Sequence, residues 1–362
     1  MSDFKLMIVE DNDTDLDSCR DCIKDFEQEM GCNIELVICK TIDEAFKKLD
    51  MTFDGAIIDI KLDTQGTGDE GNKVLDEIKK TNLRIPVAVL TATPSSVDMK
   101  SNYIGVFKKG SSGSSYTDLL YQFWEIYNTG LTRIMGGRGK IEESLGRVFN
   151  ENLMPEQYRK KWIEYGKEDA SRTEKALLRH ALSHLFQLLD DDCDSYLPEE
   201  VYLIPPLTSE IKTGCIVTEK ESGCRFVVMT PACDLVIRTC GDRNTDRILI
   251  VNIDTLADVF PDYKEPGFKK NKLENAVKNK KSYYHFLPET NFFDGGFVNF
   301  RKLSTLEIDK FKTQYGEPII QISPSFVKDM VARFSAYYAR QGQPEINFSS
   351  FLNPVQPMQE KT

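Results

Sequence analysis

The chain has 362 residues, 40% of them apolar, and a formal net charge of −11 from 46 basic and 57 acidic side chains. That is enough length for about two to three domains, and the acid excess argues against bare nucleic acid as the main partner, which a basic footprint would mark. No run of about 18 apolar residues is present, so no membrane span is expected; the opening Met-Ser-Asp-Phe-Lys lacks an apolar signal segment, and nine cysteines without a metal-type double C-x-x-C read as reduced thiols of a cytoplasmic protein.

In chain order, Phe4-Lys-Leu-Met-Ile-Val9 is a short apolar run followed at once by Glu10-Asp11. Asp13 to Met30 has helical periodicity, with Cys19, Cys22, Ile23 and Phe26 as its apolar stripe. Ile34 to Cys39 is a second strand, and Thr41 to Leu49 a second helix with Thr41 as cap. Asp54-Gly-Ala-Ile-Ile-Asp59 is a third apolar strand, and it ends in an acid. After it come a long loop, Asp63 to Gly71, and a helix from Lys73 to Lys80. Ile85 to Leu90, ending in Thr91, is a fourth strand, and Pro94 to Ser101 a short fourth helix. Tyr103 to Phe107, followed by Lys108-Lys109-Gly110, is a fifth strand. Ser111 to Ser115 breaks the pattern before a last helix, Tyr116 to Asn128, with Leu119, Leu120, Phe123 and Trp124 inward.

Strands of this kind, apolar throughout and separated by helices, indicate a parallel sheet buried on both faces. In such sheets ligands gather at the carboxyl ends of the strands. Glu10, Asp11, Asp59, Thr91 and Lys109 all fall at such ends, which brings carboxylates, a hydroxyl and an ammonium to one cleft. Hard oxygen donors suit Mg²⁺, and a carboxylate beside a bound cation can act as nucleophile in phosphoryl transfer. Ordinary first-turn acids and a helix cap are the competing reading of Glu10, Asp11 and Thr91.

The ordered set Ile-Val-Glu10-Asp11, Ile-Ile-Asp59-Ile, Val-Leu-Thr91-Ala and Phe-Lys-Lys109-Gly resembles the receiver domain of two-component response regulators, over residues 1–128. The resemblance implies a flavodoxin-like α/β fold with a five-stranded parallel sheet. It implies Asp59 as phosphoacceptor for a histidine kinase, and Mg²⁺ held by Glu10, Asp11, Asp59 and the backbone carbonyl of Lys61. Thr91 is then the hydroxyl that follows phosphorylation, and Lys109 the cation that pairs with the phosphoryl oxygens, with Lys108 as an alternative. Two positions depart from the family pattern. Gly110 stands where proline is usual, and Val106 stands where the aromatic switch residue is usual.

Residues 129–198 read as a helical connector. Gly136-Gly137-Arg-Gly139 reads as a flexible break without the P-loop pattern. Ile141, Leu145, Val148 and Leu153 form one helical stripe, and Ala176, Leu177, Ala181, Leu185, Leu188 and Leu189 another. His180 and His184 are spaced i,i+4, as in half of a metal site. The glutamate of HExxH is absent and His285 is the only other histidine, so solvated or packed rings are the favoured reading.

From 199 to 350 the chain carries short β-branched and aromatic runs between turns, the pattern of a small, SH3-like barrel. A helix from Pro324 to Arg340 with Phe326, Met330 and Phe334 inward closes it, and 351–362 is a tail. Thr230-Pro-Ala-Cys233-Asp234-Leu235 resembles a Cys-Asp-Leu signature of uncharacterised C-terminal domains in bacterial conflict operons. Cys233 is either a buried thiol at a strand end or a reactive one helped by Arg238 and a distant His285. Arg238, Arg243 and Arg247 would form an anion patch if they cluster.

The resulting expectation is a response regulator resembling those of antiphage systems of the Detocs type, relaying or absorbing phosphate. Its partners would be a histidine kinase and a second response regulator or effector, with homodimerisation left open. A phosphorylation-gated effector enzyme and a phosphorylation-controlled protein-binding scaffold are the alternatives.

Overall fold

The computed structural model describes residues 4–62, 70–97, 104–137, 139–190, 195–206, 208–237 and 243–340. The chain divides into two compact units, 1–192 and 193–362.

The first unit opens with β1 (Phe4–Val9), α1 (Asp13–Met30), β2 (Ile34–Cys39), α2 (Ile42–Lys48), β3 (Gly55–Ile58), α3 (Glu70–Lys80), β4 (Val87–Thr91), β5 (Gly105–Lys108) and α4 (Tyr116–Asn128). The five strands are parallel in the order β2-β1-β3-β4-β5, the flavodoxin-like order. Alternation along each strand feeds two layers. Leu6, Ile8 and Ile57 face α1 and α4 with Leu16, Phe26, Leu119 and Phe123. Met7, Val9 and Ile58 face the opposite layer with Ala45, Val74 and Ile78. Every described strand end thus points the same way, to one edge of the sheet.

Several boundaries differ from the sequence reading. Helix α3 starts at Glu70, earlier than expected, because Gly71 lets the chain press onto the end of β3. Its N–H donates to the Ile60 carbonyl at 2.8 Å, and a Cβ there would lie 2.2 Å from the Asp59 carbonyl oxygen. The expected fourth helix is a single 3₁₀ turn at Pro94–Ser96 over its described part. Its remainder, and Tyr103 of the expected fifth strand, lie outside the described residues.

Beyond the sheet follow α5 (Leu131–Met135), α6 (Lys140–Val148), a π-helical turn at Phe149–Leu153, α7 (Glu156–Glu168) and α8 (Ala170–Asp190). The glycines expected as a flexible break are packed instead. Gly137 N–H donates to the Met51 carbonyl at 2.6 Å, and a Cβ on Gly139 would meet the Arg133 and Ile134 carbonyls below 2.8 Å. Arg84 reaches from the sheet side to Glu142 of α6 at 2.8 Å. Glycine serves here for close approach rather than freedom.

The second unit is β-rich, as expected. It comprises β6 (Tyr202–Leu203), β7 (Cys215–Thr218), β8 (Arg225–Val228), α9 (Ala232–Leu235), β9 (Arg247–Asp254), α10 (Leu256–Val259), α11 (Lys270–Val277), β10 (Tyr284–Leu287), β11 (Gly296–Glu307), α12 (Ile308–Gln314), β12 (Ile320–Ile322) and α13 (Pro324–Tyr338). The strands form one antiparallel sheet in the order β10-β11-β9-β8-β7-β12-β6. The sheet curls until its two edges meet through side chains. The Tyr202 hydroxyl on β6 donates to the Pro288 carbonyl just after β10 at 2.7 Å, and its ring lies 5.4 Å from that of Phe293. Inside the curl, Val227, Val251, Val298, Phe300 and Ile322 pack with Met330, Phe326 and Phe334 of α13. β11 is far longer than the Phe297–Phe300 run suggested, because a register shift between Val298 and Leu303 lets one strand serve β9 over two stretches.

Candidate functional site

Local structure sets the first carboxylates. β1 delivers Glu10 to the sheet edge, where its N–H donates to Cys39 O and its Oε1 accepts the Asn12 N–H at 3.1 Å. Asn12 then caps α1, its side chain accepting from the N–H groups of Thr14 and Asp15. The turn Glu10-Asp11-Asn12 is therefore held at both ends, and Asp15 emerges one turn into the helix facing the same edge. Asp59 ends β3, with its N–H donating to Val9 O and its Oδ1 accepting the Lys61 N–H at 3.2 Å. Thr91 ends β4, fully buried, with its Oγ1 accepting the Thr93 N–H. Lys109 follows β5, its N–H donating to Thr91 O.

The Lys109 ammonium joins these elements. It lies 2.5 Å from Glu10 Oε2, 2.6 Å from Asp15 Oδ2 and 2.8 Å from Asp59 Oδ2. Glu10 is 2% exposed and Asp59 6%, so two of the three carboxylates that face this one cation are nearly desolvated, while Asp15 stays partly exposed. Burial pushes the Glu10 carboxyl above its ordinary range, against the pull of Lys109. Burial alone would lower Lys109; hydrogen bonds to Asp15, Asp59 and Glu10 together reverse that and hold it charged well above its ordinary range. An ammonium so held is a fixed counter-charge, not a base.

Asp11 is half-buried and makes no ion pair among the described residues, so it adds uncompensated negative charge beside Glu10. The donor set is hard oxygen with more anionic than cationic charge, which fits Mg²⁺. Three acid, thiol or imidazole side chains do not converge on one point among the described residues. The acids here converge on Lys109 Nζ, and a divalent ion held by them must take over part of its role as shared counter-charge.

Two residues of the cluster were missed by reading the sequence. Asp15 carries no motif of its own; its position four residues after Asp11 and one turn into the helix was the available signal. Tyr116 opens α4 with a buried hydroxyl that has no hydrogen-bond partner among the described residues, and burial, then the charges of Glu10, Cys19, Asp15 and Asp59, raise its pKa. A cavity of about 210 Å³ lies beside Lys109, lined by Asp15, Cys22, Ser114, Ser115 and Tyr116 among others. Nothing in the sequence marks Tyr116 beyond its apolar periodicity.

The departures from the receiver pattern have physical expression. Gly110 sits at φ +78°, which proline, fixed near −65°, cannot adopt. Val106 faces the layer of Val89, whereas the aromatic ring of this strand, Phe107, faces the opposite layer. Lys108 is exposed at the strand end and forms no contact with the cluster.

In the second unit the expected constellation does not assemble. Cys233 is exposed rather than buried, and its thiol contacts only Asp234 at 3.6 Å among the described residues. Arg243 donates to the Leu235 carbonyl, while Arg247 is committed to Thr305 and Glu307 across the sheet, so these two do not form an anion patch; Arg238 lies outside the described residues. His285 is buried in β10 near Asp329, and no hydrogen bond joins it to Cys233 among the described residues.

Compared with known proteins, the chain is similar to a CheY-like response regulator receiver domain from Methanospirillum hungatei JF-1, at 21% identity and a TM-score of 0.26, covering 35% of this chain and 96% of that one. It is similar to the phosphorylated cyanobacterial phytochrome response regulator RcpA at 21% identity and 0.26, over 37% and 94%. A response regulator receiver protein from Pseudoalteromonas atlantica gives 15% identity and 0.28, over 35% and 98%. No family model and no curated protein matches.

Proposed function

We propose that the first unit is a response-regulator receiver in which a histidine kinase phosphorylates Asp59. The observation that carries this reading is the shared grip of Lys109 on Asp59, Glu10 and Asp15 at the carboxyl edge of a parallel sheet, with the Thr91 hydroxyl at the neighbouring strand end. Asp59 is nearly buried yet keeps Oδ2 on an ammonium, so a phosphoryl group arriving there meets a preformed cation. Glu10, Asp11, Asp59 and the Lys61 carbonyl would hold Mg²⁺, which neutralises phosphoryl charge during transfer. Lys109 then orients the phosphoryl oxygens, and Thr91 is placed to donate to them.

Within this reading the chain absorbs or relays phosphate rather than driving an aromatic-coupled switch. Val106 leaves the layer beside Thr91 without a ring to exchange, and Phe107 lies on the other face. The resemblance to receivers of antiphage systems of the Detocs type supports a defence role, with a second regulator or effector as phosphate partner.

The test is intact-mass analysis after incubation with Mg²⁺ and a small phosphodonor such as acetyl phosphate. A single phosphoryl adduct on the wild type, absent from Asp59→Asn, is the expected outcome. An adduct of equal yield on Asp59→Asn would overturn the assignment of the acceptor.

A further inference from the structure

Helix α8 carries His180 and His184 one turn apart. Their Nε2 atoms approach to 3.3 Å, with the ring planes at 84°. His180 is exposed and His184 half-exposed. Two imidazole nitrogens this close on a solvent-facing helix lie within hydrogen-bond reach of each other, and their spacing also suits a shared cation. Two ligands of a tetrahedral zinc, each at about 2.0–2.1 Å, stand roughly 3.4 Å apart, close to the spacing present here.

We infer that His180 and His184 form a two-ligand site for a borderline divalent transition metal: Zn²⁺, Ni²⁺ or Cu²⁺. Imidazole nitrogen selects these ions over Mg²⁺ and Ca²⁺, which take oxygen donors. No third acid, thiol or imidazole joins the pair among the described residues, so water or a ligand from a bound molecule fills the remaining positions. The site is separate in chemistry and in position from the acidic cluster around Asp59. Spacing alone was ambiguous, because i,i+4 histidines can diverge in rotamer; the convergence of the two Nε2 atoms is what the structure adds.

A reporter stands beside the site. The Trp162 ring on α7 lies 5.7 Å from that of His180, and the only other tryptophan of the chain, Trp124, belongs to the sheet core. Bound Cu²⁺ or Ni²⁺, with an open d shell, quenches an adjacent indole; d¹⁰ Zn²⁺ does not, but competes. The experiment titrates the whole 362-residue chain with Ni²⁺ or Cu²⁺ in excess Mg²⁺ while following tryptophan emission. The expected result is saturable quenching at one metal per chain, reversed by Zn²⁺, with a midpoint at least tenfold weaker in His180→Asn and in His184→Asn and unchanged in Asp59→Asn. Equal quenching in wild type and both histidine variants would overturn the assignment, as would the absence of saturable quenching in the wild type. Far-ultraviolet circular dichroism of the two variants checks that the exposed helix is intact.

Discussion

His285 shows how one buried side chain can set the acid sensitivity of a domain. Its Nδ1 is buried without a hydrogen-bond partner among the described residues, and Asp329 Oδ2 stands 3.7 Å away. Burial, and secondarily the charge of Arg333, lowers its pKa from 6.5 to about 4, against the opposing pull of Asp329. Between those values the unfolded chain binds a proton that the folded chain refuses, so stability falls as pH falls through that window and is unaffected above it. The drop amounts to about 3 kcal/mol. Unfolding free energy of the second unit, measured from pH 7 to pH 4, should follow that slope, and His285→Gln should flatten it. Asp15 and Tyr116 belong to the same scale. Neither has a motif, and each joins the acidic cluster only because helices α1 and α4 deliver it there.

Among the elements, the junction of β3 and α3 constrains the site most. Asp59 ends the strand, and Gly71 at the start of the helix packs on its carbonyl with no room for a methyl group. The obstruction is backbone, which cannot rotate away as a side chain can. Gly71→Ala is expected to cost about 1–3 kcal/mol, as overpacking does, and to lower the yield of the Asp59 phosphoryl adduct. A urea midpoint together with intact mass checks both, and an unshifted midpoint would show that the helix relaxes freely. The first strands and helices were legible because each follows a local rule: apolar runs for the buried strands, the Thr41 cap, and the stripe Leu119, Leu120, Phe123. The register shift in β11 and the packed turn at Gly136–Gly137 were not legible, because each answers to a distant partner.

At the scale of the molecule, nearly all of the acid excess lies in residues 1–192, and its buried part surrounds Asp59. On the proposed reading, a divalent cation that compensates those carboxylates would bind the folded first unit only. Mg²⁺ at 100 times its Kd should therefore stabilise that unit by about 2.7 kcal/mol and leave the second unit's transition unmoved. Calorimetry in Mg²⁺, then after chelation, separates the two. A shift retained in full by Asp59→Asn with Glu10→Gln would place the cation elsewhere.

The sequence by itself determined the strand ends that carry Glu10, Asp11, Asp59, Thr91 and Lys109, since apolar runs and helical periodicity are local properties and a parallel sheet sends all such ends to one edge. Tertiary structure alone decided what meets there. Lys109 pairs with Asp15 and Glu10 across 94 and 99 residues of chain. It likewise decided that Tyr202 and Pro288 close the second sheet, that Cys233 stands exposed, and that the His180 and His184 nitrogens approach each other. Such pairings depend on how layers pack and which rotamers that packing permits, and no local pattern of residues encodes them.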